Sequence, residues 1–174
     1  MVLVTEIGDI NWSAWTPRER SVLCFIFRQG ELLLIRKKRG LGGGKINAPG
    51  GKIEPGESPL QAVIRETQEE VGLTPRAPQP LGELFFQFTD GYTLHCIAFR
   101  AEGCEGTAIE TDEAVPIWTP LNAVPYEAMW ADDMDWLPLL IEGRTFRGRF
   151  IFDNDTMLDH QVEILPGDAV LSFI

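Results

Sequence analysis

A glycine-rich segment just before a well-marked helix start constrains the fold more than any other feature of this sequence. Six glycines and one proline lie among the twelve residues from Gly40 to Gly51. Such a segment can form neither a helix nor a central strand, because glycine loses much backbone entropy in both, although a short strand near residues 46–48 is compatible with it. We therefore expect a long loop that exposes its backbone groups.

A helix should follow this loop. Ser58 is a typical N-cap residue, Pro59 suits the first helical position, and Gln61 lies three residues after the cap, as in a capping box. Apolar residues then recur every three or four positions, and Gly72 suits the left-handed residue that ends a helix. The pattern predicts a helix from Pro59 to about Val71.

The rest of the chain contains the apolar and alternating runs that are typical of strands. We predict strands at residues 21–28, 31–36, 81–89, 92–100, 115–118, 144–153 and 159–165, and a second helix from Asp132 or Asp133 to Ile141. Strands outnumber helices and their order is mixed, so the predicted fold class is α+β. Residues 1–20 show no clear period, and we expect an N-terminal extension that packs on one domain formed by residues 21–174.

Composition and charge exclude several classes of function. The chain is 44% apolar and 24% charged, as in globular proteins, and no run approaches the roughly 20 apolar residues of a membrane helix. Its net charge of −11 repels a nucleic-acid backbone. Three cysteines without CxxC spacing support neither a disulfide framework nor a zinc site. We expect a cytoplasmic protein with no membrane or nucleic-acid polymer as partner, in which a cation mediates any contact with phosphates.

The predicted helix carries three glutamates, Glu66, Glu69 and Glu70, at spacings that bring them to one face. A solvated helix face with a weak Arg65–Glu69 ion pair would by itself explain them. The preceding loop favours a second interpretation, because clustered carboxylates beside exposed backbone carbonyls suit hard divalent cations such as Mg²⁺. The two interpretations differ in whether the glutamates hold a metal ion.

The segment GKIEPGESPLQAVIRETQEEVGL, from Gly51 to Leu73, resembles the signature of the Nudix hydrolases. That signature places a glycine, a glutamate, an arginine–glutamate pair, two further glutamates and a final glycine–aliphatic pair at fixed spacings. The matching positions are Gly51, Glu57, Arg65, Glu66, Glu69, Glu70, Gly72 and Leu73. Thr67 departs from an aliphatic position of the signature, and its hydroxyl needs a hydrogen-bond partner if it is buried.

The resemblance implies a mixed β-sheet sandwiched between α-helices, and hydrolysis of a nucleoside diphosphate linked to another group, with Mg²⁺ or in its place Mn²⁺. The residues that match catalytic and metal-binding positions are Arg65, Glu66, Glu69, Glu70 and Glu113, with the carbonyl of Gly50 or Gly51 as a further ligand. Glu66 also matches a residue that orients or deprotonates water, and Glu113 is a second candidate for the base or a ligand. Arg65 is expected to orient a carboxylate such as Glu57.

A second stretch, from Met129 to Leu140, is similar to the MutT-homologue subfamily, which acts on oxidised purine nucleotides. Trp130 matches a tryptophan that stacks on the base, and Asp132 with Asp133 matches a pair of acids that read the base. The other candidates for substrate binding are Asn47 as a base contact, Phe86 and Phe88 as an aromatic wall, and Lys37 near phosphate. Taken singly, a helix cap, a core tryptophan and ordinary sheet packing would explain most of these residues.

The chemistry of the acid pair fits a modified base. An indole face on a purine contributes roughly 1–3 kcal/mol. Two adjacent carboxylates cannot both ionise easily, so one donates a hydrogen bond and the other accepts one. Such a pair could read the altered edge of 8-oxoguanine or, in another protonation arrangement, that of 2-hydroxyadenine.

The sequence therefore predicts a Mg²⁺-dependent pyrophosphohydrolase that acts as a monomer on a small nucleotide. It would convert an oxidised purine nucleoside triphosphate, such as 8-oxo-dGTP or 2-hydroxy-dATP, to the monophosphate and pyrophosphate. A Nudix activity on ADP-ribose, a dinucleotide polyphosphate or an unmodified triphosphate is an alternative, because the catalytic signature would be the same. A nucleotide-sensing module without catalysis is a further alternative, but it would have no need for so many clustered carboxylates.

Overall fold

The computed structural model describes residues 3–171, which contain two α-helices and eleven strands. The helices are α1 (Pro59–Val71) and α2 (Asp133–Ile141). The strands, in chain order, are β1 (Glu19–Arg28), β2 (Glu31–Lys37), β3 (Ile46–Asn47), β4 (Gly50–Lys52), β5 (Thr74–Pro75), β6 (Gln79–Phe88), β7 (Thr93–Ala101), β8 (Cys104–Glu105), β9 (Ala114–Pro120), β10 (Thr145–Asp153) and β11 (Thr156–Leu165). Within this part of the chain, neither helix has the length and apolar character that crossing a membrane requires.

Nine of these strands form one mixed sheet. Its order is β11-β10-β6-β7-β1-β2-β3, with β4 paired to β1 and β9 paired to β2. The β1–β7 and β10–β6 pairs are parallel, whereas the other neighbours are antiparallel. Strands β5 and β8 form a separate two-stranded sheet. The predicted α+β class is therefore confirmed.

Two apolar layers join the helices to the faces of the sheet. Val63 of α1 packs in one layer with strand residues such as Ile97. In the other layer, Trp136 of α2 meets Phe25 edge to face, with ring centroids 5.6 Å apart, and stacks on Phe146 at 5.8 Å. The predicted arrangement of a mixed sheet between helices is therefore present.

Helix α1 begins and ends where the sequence predicts. Ser58 Oγ accepts a hydrogen bond from the N–H of Gln61 (3.1 Å), and Gln61 Oε1 accepts one from the N–H of Ser58 (2.9 Å). Gly72 follows the helix with a left-handed φ of 73°. Thr67 is fully buried, and its hydroxyl donates to the carbonyl of Val63 at 2.7 Å. The threonine that departs from the Nudix signature thus has the partner that its burial requires.

The glycine-rich segment contains β3, the short strand that the sequence analysis allowed near residues 46–48, and a second short strand, β4, that it did not predict. Gly51 of β4 lies opposite Val22 of β1 in an antiparallel pair, so the expected long loop is interrupted here, although not by a central strand. A Cβ atom on Gly50 would lie 2.0 Å from the carbonyl oxygen of Val22. Glycine weakens an isolated strand, but here its missing side chain permits the close approach that pairs β4 with β1.

The N-terminal segment contacts the sheet before β1 begins. Trp12 and Trp15 pack against Phe85, with ring centroids 6.2 and 5.5 Å from it. The indole nitrogen of Trp15 also donates to Gln87 Oε1 at 3.0 Å. The domain boundary at residue 20 stays a prediction, and residues 1–2 and 172–174 lie outside the described residues.

Candidate active site

Three carboxylates from two parts of the chain lie together. Glu66 and Glu70 project from the last two turns of α1, and Glu113 precedes β9. One oxygen atom of each lies within 4.8 Å of the other two. Glu70 is buried, whereas Glu66 and Glu113 are partly exposed. Grouped carboxylate oxygens of this kind are the ligands that hard divalent cations take in proteins.

Glu69, another predicted metal ligand, lies outside this cluster. Its carboxylate is 54% exposed and accepts a hydrogen bond from Arg65 at 3.2 Å. Arg65 also donates twice to Glu57, at 2.6 and 2.9 Å, and once to Glu66, at 2.8 Å. The Arg65–Glu57 pair that the sequence predicts is therefore present, and one guanidinium holds three carboxylates of the signature. The role of Glu69 as a metal ligand stays a prediction.

Glycine backbone forms one wall of the carboxylate cluster. A Cβ atom on Gly51 would lie 2.4 Å from the carboxyl carbon of Glu66. The backbone N–H of Gly50 forms a hydrogen bond to Glu70. Strand β4 can approach Glu66 of α1 this closely only because Gly51 has no side chain. A metal contact by either glycine carbonyl stays a prediction.

The electrostatics of the cluster favour a bound cation. Burial first, and then the charge of Glu66, raise the pKa of Glu70 to about 8, while Lys37 acts in the opposite direction. Burial also raises the pKa of Glu66, although Arg65 opposes this shift. Glu70 Oε2 is buried and has no hydrogen-bond partner among the described residues. A divalent cation would supply the charge and the contact that this oxygen lacks, so the residues fit such an ion.

A cavity of about 760 Å³ adjoins the cluster and is lined by Glu70, Gly50 and Gly51 on that side. Pockets for small molecules commonly have volumes of roughly 300–1,000 Å³. All the residues that the sequence predicts for substrate binding line this cavity, namely Lys37, Asn47, Phe86, Phe88, Trp130, Asp132 and Asp133. Their contacts with a substrate stay a prediction, but the structure brings them to one pocket.

Trp130 is held in the cavity wall by contacts on several sides. Phe88 and Phe152 meet its ring edge to face, with centroids at 6.3 and 5.5 Å. Lys45 Nζ lies 5.3 Å from the ring centroid. A Cβ atom on Gly42, which has a φ of 78°, would lie 2.6 Å from the indole nitrogen. The glycine-rich segment therefore contacts the residue predicted to stack on the base as well as the carboxylate cluster.

Asp132 and Asp133 are almost fully buried, with 1% and 3% of their surface exposed. Asp132 stands at the N-cap position of α2, but its side chain makes no capping bond. It accepts a hydrogen bond from the indole nitrogen of Trp136 (2.7 Å), whereas Asp132 Oδ1 and Asp133 Oδ2 have no partner among the described residues. A helix cap is therefore not the role of Asp132, and two buried acceptor oxygens stand beside the cavity.

Burial sets the ionisation of this acid pair. It raises the pKa of Asp132 to about 6, and burial together with the charge of Asp132 raises the pKa of Asp133 well above its usual value. Neighbouring carboxyl groups with raised pKa values share a proton near neutral pH, because ionising both would place two charges in a buried site. The pair can therefore donate one hydrogen bond and accept another.

Further lining residues, such as Glu19 and Asn154, are not among the candidates from the sequence. Glu19 and Tyr92 line the cavity and hydrogen bond to each other, and Lys52 donates to the other oxygen of Glu19 at 2.8 Å. Asn154, in the turn between β10 and β11, also lines the cavity and has a left-handed φ of 54°. The only sequence signal at Asn154 is that of a turn, and none at Glu19 indicates a pocket.

Known proteins share this fold and this arrangement of motifs. The model of the NUDIX domain matches residues 17–140. The oxidized purine nucleoside triphosphate hydrolase of Danio rerio is 39% identical over 145 residues, which cover 81% of this chain and 92% of that protein. The protein of the same name from Mus musculus is 35% identical over 142 residues, which cover 80% and 91%. Over 46 residues, 26% of this chain and 36% of the relative, the chain is 54% identical to the 8-oxo-dGTP diphosphatase of Escherichia coli.

Solved structures agree in fold. The MutT protein from Bacillus halodurans has a TM-score of 0.76 at 28% identity, covering 83% of this chain and 97% of that one. The MutT protein from Methanosarcina mazei Go1 has a TM-score of 0.61 at 26% identity, covering 73% and 95%. The fold is that of the MutT structures. The chain belongs to the Nudix family, and it is a Nudix hydrolase.

Asp133→Asn should reduce the loss of stability that the buried acid pair causes as the pH rises. The folded-state pKa values of both acids lie above the usual 3.8, at about 6 for Asp132 and well above 3.8 for Asp133. Their stabilising contribution is therefore complete below pH 3.8 and is lost as the pH rises through these folded-state pKa values. Between about pH 5 and pH 8, the variant's free energy of unfolding should fall by about 1–3 kcal/mol less than that of the wild type, since one pKa unit corresponds to about 1.4 kcal/mol. Urea unfolding at both pH values measures this difference.

Asp168→Asn is the matched control, because Asp168 is an exposed acid after β11 and is not among the groups that shift the pKa of either buried acid. This control should keep the pH dependence of the wild type. If Asp133→Asn also keeps it, the two buried carboxyl groups do not share a proton.

Proposed function

We propose that this chain is a Mg²⁺-dependent pyrophosphohydrolase that converts oxidised purine nucleoside triphosphates, such as 8-oxo-dGTP, to the monophosphate and pyrophosphate. The observation that carries the proposal is one cavity lined both by Glu70 of the carboxylate cluster and by the buried acids Asp132 and Asp133. The names of the relatives from Danio rerio and Mus musculus support the same class of substrate.

The acid pair and Trp130 supply base recognition in this proposal. The indole face stacks on the purine, with Phe86 and Phe88 completing an aromatic wall and Asn47 as a further base contact. The protonated acid of the Asp132–Asp133 pair donates to a base acceptor, and the ionised acid accepts from a base N–H. An oxidised purine presents a changed set of donors and acceptors, so the buried pair distinguishes it from the normal base.

The carboxylate cluster supplies the site of hydrolysis. Glu66, Glu70 and Glu113 would hold Mg²⁺, and Glu69 and the carbonyls of Gly50 and Gly51 are further candidate ligands. When bound, the ion neutralises phosphate oxygens and lowers the pKa of the attacking water. Glu66 or Glu113, the two partly exposed members, accepts the proton of that water, and Arg65 keeps Glu66 in position. The water oxygen bonds to phosphorus while the phosphoanhydride bridge between the α- and β-phosphorus atoms breaks, which releases the monophosphate and pyrophosphate. Lys37 contacts the phosphates from the cavity wall.

We also propose that the protein acts as a monomer in the cytoplasm. All three cysteines are free, as is usual in a reducing compartment. The carboxylate cluster and the cavity are built from residues of one chain, so no second copy is needed to complete the site.

A turnover assay with Mg²⁺ tests the proposed function directly. We expect release of pyrophosphate and monophosphate from 8-oxo-dGTP with a kcat/KM at least about tenfold above that for dGTP, since well-placed hydrogen bonds to a base discriminate by at least that factor. ADP-ribose should be a poor substrate. A preference for ADP-ribose would assign the chain to a different Nudix activity, and binding without turnover of all three would indicate a sensing module.

Substitutions of the acid pair test base recognition. Asp132→Asn and Asp133→Asn each remove one ionisable group, so each should lower kcat/KM for 8-oxo-dGTP by roughly 10- to 100-fold and leave the rate with dGTP much less affected. Asp168→Asn, an exposed acid that does not line the cavity, is the control. If both variants still distinguish 8-oxo-dGTP from dGTP as the wild type does, the pair does not read the base.

Glu70→Gln tests the carboxylate cluster. The substitution keeps the size of the buried side chain but removes its charge, so turnover should fall roughly 100-fold or more while the thermal unfolding midpoint is unchanged or higher. Glu102→Gln, an exposed acid after β7, is the control, and Glu69→Gln measures how far the exposed neighbour contributes. Turnover at the wild-type rate in Glu70→Gln would remove Glu70 from the proposed metal site.

A further inference from the structure

Glu113 differs from the other members of the carboxylate cluster because neither a helix nor a strand holds it. It lies in the irregular segment between β8, which ends at Glu105, and β9, which begins at Ala114. A ligand on such a segment loses conformational entropy when it binds an ion, unless contacts already fix it. The position of Glu113 relative to α1 must therefore come from specific hydrogen bonds.

The hydroxyl of Thr111 connects the two parts of the cluster. It donates to the backbone carbonyl of Glu70 at 2.8 Å and accepts from the backbone N–H of Glu113 at 3.2 Å. The carbonyl of Glu70 is among the last four of α1, which have no N–H partner within the helix. One side chain thus links the helical backbone that carries Glu70 to the loop backbone that carries Glu113.

Neighbouring bonds fix Thr111 itself. Its N–H donates to the carbonyl of Ala114 (3.0 Å), and Lys38 Nζ donates to its carbonyl (2.7 Å). The backbone N–H of Lys38 donates to the carbonyl of Glu113 at 2.9 Å. Two residues before Thr111, the N–H of Ile109 donates to the carbonyl of Val71. The segment is therefore hydrogen-bonded to the sheet and to the end of α1. The Thr111 hydroxyl makes the two hydrogen bonds that link the backbone of Glu113 directly to that of Glu70.

We propose that Thr111 is a positioning residue for the metal site: its hydroxyl sets the spacing between Glu113 and Glu70, so that one divalent cation takes oxygens from both. This inference rests on the metal site proposed above. The Thr111 side chain itself is a ligand of neither the ion nor the substrate. Residues that orient metal ligands in this way typically change metal affinity by roughly 10- to 100-fold when they are replaced.

The first test is titration of the protein with Mn²⁺ in the absence of nucleotide, followed by electron paramagnetic resonance. Thr111→Val removes the hydroxyl at nearly constant shape and should weaken Mn²⁺ binding roughly 10- to 100-fold, whereas Thr111→Ser keeps the hydroxyl and should bind nearly as the wild type. Thr119→Val, which removes a hydroxyl bond of 3.2 Å within β9, is the matched control. Wild-type affinity in Thr111→Val overturns the inference.

A double-mutant cycle with Glu113→Gln shows whether Thr111 acts through Glu113. If it does, the double variant binds Mn²⁺ no more weakly than Glu113→Gln alone, whereas additive losses overturn the inference. If the proposed metal site is itself wrong, the result is different, because Glu113→Gln alone would then leave the affinity for Mn²⁺ unchanged.

Amide hydrogen exchange without any metal ion provides a readout that does not depend on binding. In Thr111→Val the N–H of Glu113 should exchange about tenfold faster than in the wild type, while the core of α1 keeps its protection. Loss of protection throughout α1 would assign Thr111 to stability of the fold instead of to the position of Glu113, and would also overturn the inference.

Discussion

The close passage of strand β4 over helix α1 is the constraint on which the active site depends. A Cβ atom would lie 2.4 Å from the Glu66 carboxyl at Gly51 and 2.0 Å from a β1 carbonyl at Gly50. Gly50 and Gly51 line the cavity together with Glu70, and burial is the largest cause of the raised pKa of Glu70. A buried carboxylate is stable in its charged form only beside a positive charge. A protein of net charge −11 can therefore act on phosphates through a cation held by this cluster.

The cavity joins two acidic sites whose surroundings give them different chemistry. At the carboxylate cluster, Arg65 and Lys37 oppose the rise in the pKa values of Glu66 and Glu70 and favour the ionised form that binds a cation. At Asp132 and Asp133, burial dominates and keeps a proton on the pair. Burial raises the carboxyl pKa values at both sites, so the two sites differ in their neighbours. The positive charges of Arg65 and Lys37 favour metal ligands at the cluster, whereas Asp132 and Asp133 lie against each other and can share a proton, so that the pair both donates and accepts.

The sequence predicts the local parts of this structure better than the contacts between them. Ser58 and Gly72 fix the ends of α1 through bonds to residues nearby in the chain, so the helix could be predicted to the residue. The contact between Gly51 of β4 and Glu66 was not predicted, because the glycine content of this segment favoured a loop. The contacts of Glu19 with Tyr92 and of Thr111 with Glu70 join residues far apart in the chain, where no sequence pattern predicts them. Resemblance to a family identified the base-binding candidates, because a tryptophan followed by two aspartates is equally typical of a core residue and a helix cap.

The most direct test of the central claim is a crystal structure with Mn²⁺ and a non-hydrolysable analogue of 8-oxo-dGTP, in which anomalous scattering locates the ion. We predict Mn²⁺ between Glu66, Glu70 and Glu113, in contact with the phosphates, and the base beside Trp130 and the acid pair. An ion bound elsewhere, with these three carboxylates far from every phosphorus atom, would contradict the proposed mechanism while leaving the Nudix fold intact.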